Sequence, residues 1–121
     1  MPELNLAQKY NKFQNDFGSR VEQNYEELIE SLFAPELTKT ANGQVLAADR
    51  SKLHDQLSSI REMVDSWNIE VKYIMPSAED HKYVVRYLLT TDHSGTFDVM
   101  TLLGSSDGIK IDLIDEVYYV V

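Results

Sequence analysis

At Trp67 the spacing of apolar residues along this 121-residue sequence changes from the period of a helix to the period of a strand. Upstream, Leu6, Tyr10, Phe13 and Phe17 are spaced 4, 3 and 4 apart, so they form one stripe of a helix that stops at Gly18. Ser19-Arg20-Val21-Glu22 fits a capping box, and Val21, Tyr25, Leu28 and Leu32 supply a second stripe. The spacing predicts that Pro35 closes this helix after Phe33-Ala34. Asp49 can cap a third helix, in which Leu53, Leu57, Ile60, Val64 and Trp67 recur and which should run to about Ser66. Downstream, Ile69, Val71, Tyr73 and Met75 alternate with Glu70, Lys72 and Ile74 up to Pro76.

Two long strand segments come next, His81 to about Asp92 and Thr96 to about Ser105, linked by His93-Ser94-Gly95. Asp107-Gly108 then turns the chain into a last strand from Ile109 to Val121. A short hairpin precedes the third helix: Leu37–Ala41 and Gln44–Ala47 flank Asn42-Gly43, a pair suited to the positive φ angles of a type I′ turn. Helices gathered in one half and antiparallel strands in the other make an α+β domain. No linker, repeat or biased segment divides residues 1–121, so one domain is expected.

Composition narrows the chemistry. The chain has no cysteine, which removes disulfide frameworks, thiolate zinc sites and cysteine nucleophiles. Eleven Lys and Arg against twenty Asp and Glu leave a net charge of −9, a field that repels nucleic acid and anionic membranes. No apolar run approaches the ~18 residues of a membrane span, and the first residues lack the basic and apolar regions of a signal peptide. A cytoplasmic protein is expected.

The order helix, helix, short hairpin, helix and antiparallel meander is similar to that of the nuclear transport factor 2-like superfamily, in its SnoaL-like and ketosteroid isomerase-like branch. Tyr25-Glu26-Glu27-Leu28-Ile29-Glu30-Ser31-Leu32-Phe33-Ala34-Pro35-Glu36-Leu37 resembles the family's second helix running into its first strand. Asn42-Gly43 followed by Ala48-Asp49-Arg50 resembles its hairpin and third-helix start, and Glu116-Val117-Tyr118-Tyr119 its closing strand. The resemblance implies a cone in which three N-terminal helices pack on a strongly curved, mainly antiparallel sheet. It further implies a pocket between the concave sheet face and the helices, and a homodimer formed through the convex face.

Ketosteroid isomerase chemistry needs a carboxylate base and two donors around an enolate oxygen. On the resemblance, the base position falls on Thr40 and the donor positions on Phe17 and Thr101, none of which can play those parts well. Asp98 lies near the match, and a one-residue change of register would turn it into the pocket or out to solvent. His54, at the flank of the third helical stripe, is either a pocket acid/base group or a solvated residue. His54 and Asp98 are therefore the candidate catalytic residues.

His54, His81 and His93 have no metal-ligand spacing, and no nucleophile elbow, P-loop or dinucleotide fingerprint exists, so no metal or cofactor is expected. Aromatic residues are more informative. Phe13, Phe17, Trp67, Tyr73, Tyr87, Phe97 and Tyr118, with Thr101, are the expected pocket lining, although for any one aromatic at this spacing core filling is the commoner role. Arg86 falls on the opposite strand face, where it should pair with Asp98 or Glu70. The reading is a protein that takes a small apolar molecule into a conical apolar pocket, for binding or for a mild acid/base isomerisation, cyclisation or dehydration. The alternative is a non-enzymatic homodimeric interaction or ligand-binding module, with no nucleic acid or membrane as partner.

Overall fold

Five aromatic rings decide how the first helix docks. In the computed structural model, which describes residues 5–18, 25–92 and 95–121, α1 (Leu6–Gly18) buries Leu6, Tyr10, Phe13 and Phe17 along the stripe that the sequence predicts. Phe13 and Tyr10 meet Phe33 edge-to-face at 5.4 and 6.1 Å between ring centroids, and Phe17 packs on Trp67 at 5.5 Å. Such pairs add about 0.5–1.5 kcal/mol each beyond the area they bury. The Asn15 side chain accepts the Ile69 amide at 2.7 Å, which ties the helix to a sheet edge.

The remaining elements are α2 (Tyr25–Leu32), β1 (Phe33–Ala41), β2 (Gln44–Ala47), α3 (Arg50–Met63), β3 (Trp67–Pro76), β4 (Lys82–Thr91), β5 (Thr96–Gly104) and β6 (Ile111–Val120). They build a curved six-stranded sheet in the order β2-β1-β6-β5-β4-β3. Every neighbour is antiparallel except β1 and β6, which run parallel. The four-strand meander from β3 to β6 and the three helices before or between strands match the α+β cone expected from the sequence. Asn42 and Gly43 adopt φ of 50° and 82°, as a type I′ hairpin demands, and Asp49 caps α3 by accepting the Lys52 amide at 2.8 Å. Among the described residues, no helix is long and apolar enough to cross a membrane.

Four local expectations need correction. Phe33, Ala34 and Pro35 are not the end of α2 but the start of β1, and Phe33 and Ala34 are buried there. Proline is tolerated because the β1–β6 ladder is interrupted between Phe33 and Thr38, so Pro35 is not asked for a ladder hydrogen bond. On α2 it is Ile29 and Leu32 that are buried, whereas Leu28 is exposed, because the helix packs against β1, α1 and α3. The Ser19–Glu22 capping box, Val21 and the Tyr25 side chain lie outside the described residues. α3 ends at Met63, where Val64 takes an extended conformation and Trp67 already opens β3.

The fourth correction re-aims part of β3. Its ladder passes from Val71 opposite Tyr87 to Tyr73 opposite Arg86, so Lys72 is the extra residue of a β-bulge. A bulge shifts the alternation by one. Ile69 and Val71 share the concave face, while Tyr73 and Met75 are thrown to the convex face.

Gly18 ends α1 against Trp67. A Cβ there would stand 2.4 Å from the Trp67 carbonyl oxygen and 2.6 Å from its indole ring. Gly18→Ala is therefore expected to lose about 1–3 kcal/mol of stability by overpacking, despite alanine's better helix propensity. Urea unfolding checks this, and an unchanged midpoint would contradict the close approach.

Candidate functional site

The concave face is set by strand alternation. Leu37, Lys39 and Ala41 point inward from β1, Ile114, Glu116 and Tyr118 from β6, Val99, Thr101 and Leu103 from β5, and Val85 and Tyr87 from β4. On this face Lys39, Tyr87, Val99, Glu116 and Tyr118 border a cavity of about 290 Å³, open on one side, that α1 and α3 also help to line. Its walls are mostly apolar, with Leu57, Ile60, Val64, Trp67, Leu89, Phe97 and Val99 contributing. Gln14, Lys39, Gln56, Tyr87 and Glu116 bring polar atoms to it. A small void of about 20 Å³ continues to the floor, among Tyr10, Phe13, Phe17 and Phe33.

The polar groups form one connected set. Lys39 is 6% exposed, and its Nζ donates to Gln56 Oε1 at 3.2 Å. Burial lowers the pKa of the Lys39 amine, and the negative charge of Glu116 partly opposes that shift. Burial also raises the phenols of Tyr10 and Tyr87 well above their ordinary value, with Glu116 adding to both. Tyr87 lies against Tyr10 and Thr101, and its hydroxyl reaches Gln14 Oε1 at 3.5 Å. An amine and a carboxylate thus face a largely apolar space, with neutral phenols behind them. Such a set can bind an oxygen function and move a proton to or from it.

The architecture has solved counterparts. A nuclear transport factor 2-like protein of unknown function from Exiguobacterium sp. 255-15 superimposes with a TM-score of 0.75 at 18% identity, over 96% of this chain and 99% of that one. IdmH from Streptomyces antibioticus, a proposed polyketide cyclase, does so with a TM-score of 0.73 at 12% identity, over 93% and 91%. A proposed SnoaL-like polyketide cyclase from Jannaschia sp. CCS1 gives 0.73 at 11%, over 93% and 84%. The chain has the nuclear transport factor 2-like fold. No protein-family profile matches its sequence, and no curated protein does.

Within this nuclear transport factor 2-like cone the residues singled out from sequence divide into groups. Trp67, Tyr87, Phe97 and Tyr118 line the cavity, and Phe13 and Phe17 border the void at its floor. Thr101 is fully buried on the same inner face. Tyr73 is elsewhere: the β3 bulge places it on the convex face beside Arg86.

Asp98 is on that convex face too, where Arg86 grips it through Nε–Oδ1 at 3.1 Å and Nη2–Oδ2 at 2.6 Å. The Tyr119 hydroxyl adds a bond to Oδ2 at 3.0 Å, and the Arg86 hydrogen bonds hold the Asp98 carboxyl below its usual range. The charge pairing assigned to Arg86 is thus made with Asp98. His54 lies outside this cavity, on the flank of α3 turned toward α2, with Nε2 3.4 Å from Glu26 and Nδ1 3.7 Å from Asp55. Thr40 points outward and donates to Asp115 at 2.9 Å. His93 lies outside the described residues, and among those described no three His, Asp or Glu side chains cluster to hold a metal ion.

Lys39, Gln14, Gln56 and Tyr10 escape sequence reasoning as site residues. Lys39 neighbours the residue that the resemblance assigns to the base position, and only the true face of β1 reveals that it, and not Thr40, points inward.

Proposed function

We propose that the cone receives a small, largely apolar molecule carrying one carbonyl or enol oxygen, and serves its isomerisation, cyclisation or dehydration by acid/base chemistry. The observation that carries this is the pair of opposite charges, Lys39 and Glu116, in the wall of a cavity whose remaining lining is mainly apolar and aromatic. Apolar walls supply affinity, while the two charged groups fix the oxygen and exchange protons with the adjacent carbon. The proposed polyketide cyclases that share the fold support a reading of this class.

Trp67 is the chain's single tryptophan and lines the cavity, so it reports occupancy directly. Titration with a cyclic enone such as cyclohexenone is expected to change Trp67 fluorescence saturably. The same titration of Phe97→Asp, which places a carboxylate in the apolar wall, should show weaker binding. A flat response from the wild-type protein across a panel of cyclic ketones and enones would overturn the reading.

The convex face favours a second element of the proposal, a homodimer. Tyr73, Met75, Met100, Val117 and Tyr119 stand on it with 37–61% of their surface exposed. A surface this rich in exposed apolar side chains, arranged around the Arg86–Asp98 pair, calls for a partner, and the curved sheet can meet its own copy face to face. Sedimentation is expected to give about twice the chain mass of 13.9 kDa, and Met100→Lys to shift the equilibrium toward monomer. A monomer at micromolar concentration would refute it.

A further inference from the structure

We infer that Lys39 is a covalent attachment point: its amine, set in the cavity wall beside Glu116, condenses with an aldehyde or ketone to form an imine. This rests on the proposed reading of the cone as a chamber for a small carbonyl compound, and deepens it by naming the group that takes hold of the carbonyl carbon.

Three observations converge on Lys39. Strand alternation forces it inward between Leu37 and Ala41, so it has no route to solvent along β1. Its hydrogen bond runs to the neutral amide of Gln56 at 3.2 Å, an acceptor that orients the amine without requiring it to stay charged. It borders both the larger cavity and the void at the floor, among Leu57, Trp67 and Ile114. The other lysines of the chain are exposed or half-buried. A buried methionine would fill the same space without desolvating a charge, so a purely structural account leaves the amine unexplained. Burial lowers the Lys39 pKa and so raises its unprotonated share, and the unprotonated amine is the nucleophile.

The step balances without an outside oxidant or reductant. The amine lone pair adds to the carbonyl carbon, and the C=O π electrons move to oxygen. The nitrogen gives up its protons and the oxygen gains two, leaving as water while the C=N bond forms. Glu116, on the neighbouring strand and electrostatically coupled to the amine, can relay the proton from nitrogen to the departing oxygen.

The test uses the full chain with benzaldehyde as probe and cyanoborohydride to reduce any imine, read by intact mass and peptide mapping. One benzyl group per chain is expected, on Lys39, formed about tenfold or more faster than on any other lysine. Lys39→Met and Lys39→Arg, checked for folding by circular dichroism, should both lose that fast adduct. Trp67 fluorescence with benzaldehyde alone reports binding separately. Saturable binding with label spread over surface lysines and Lys39 bare would sink the imine while leaving the chamber standing. No fluorescence change and no Lys39 label would overturn both.

Discussion

Phe33→Ala is expected to remove about 3–5 kcal/mol of stability, the usual cost of emptying a large aromatic site in a close-packed core. Phe33 is 1% exposed and takes the edges or faces of Tyr10 and Phe13, so its loss leaves two rings of α1 without their partner. Its carbonyl also accepts from Arg50 Nη1 at 3.2 Å, which pins the start of α3 to the start of β1. Against a total stability of roughly 5–15 kcal/mol for an ordinary domain, the variant should be marginal. Urea unfolding monitored by Trp67 fluorescence, with the denaturant slope compared to the wild type, measures the loss. A loss below about 1.5 kcal/mol, the range of well-tolerated core swaps, would show that the ring cluster does not organise the helical layer.

Phe33 also marks where the sequence misleads. The rule that helices end before proline correctly separates α2 from the chain beyond it, but it places the end two residues late. No loop intervenes between Leu32 and Phe33, so nothing in the local composition announces the strand. The hairpin, α1, α3 and the meander are legible because each is specified locally, by a long periodic stripe or by turn residues such as Asn42-Gly43. The parallel pairing of β1 with β6 joins residues more than seventy positions apart, for example Thr40 with Asp115, and no local pattern encodes it. The bulge at Lys72 is equally silent, since lysine has no special backbone preference. Its effect is to invert the faces of Tyr73 and Met75.

The site is partly legible for a different reason. Its aromatic walls derive from the same alternation that builds the core, so Trp67, Tyr87, Phe97 and Tyr118 can be read from spacing. Its polar centre appears as violations of that alternation. Lys39 interrupts Leu37 and Ala41, Glu116 interrupts Ile114 and Tyr118, and Thr101 interrupts Val99 and Leu103. Each places a polar group where a strand of this sheet wants an apolar one. Places where a local rule fails without a local gain are where function is to be sought. The two charges have opposite sign and lie on neighbouring strands, but that coincidence is visible only once the β1–β6 pairing is known. His54 and Asp98 stand out as titratable groups near the match, yet neither faces this cavity: Asp98 is on the convex face with Arg86, and His54 lies between α3 and α2 beside Glu26.

The buried phenols behind that centre give the second large effect, in alkaline solution. Tyr10 and Tyr87 hold their protons in the folded state to well above the ordinary tyrosine value of 10.0, chiefly because burial disfavours the phenolate. The unfolded chain releases those protons near pH 10. Folded protein then binds more protons than unfolded, so the stability these groups contribute is fully present below about pH 10 and is lost as pH climbs toward the folded-state values. Each contributes a slope of about 1.4 kcal/mol per pH unit, or roughly 2.7 kcal/mol for the pair. Lys39 acts oppositely: its lowered folded-state pKa makes stability rise with pH up to about the ordinary lysine value of 10.5, after which it adds nothing. Above that point the tyrosines act without this counterweight. Unfolding free energies at a series of pH values from about 9 to 11.5 should therefore fall steeply in the last unit for the wild type. The double variant Tyr10→Phe, Tyr87→Phe should begin lower at neutral pH, by about 1–3 kcal/mol for the buried polar partners it strands, and then lose far less as pH rises. Parallel curves for the two proteins would mean that the phenols ionise as readily folded as unfolded, and that the cone floor admits water.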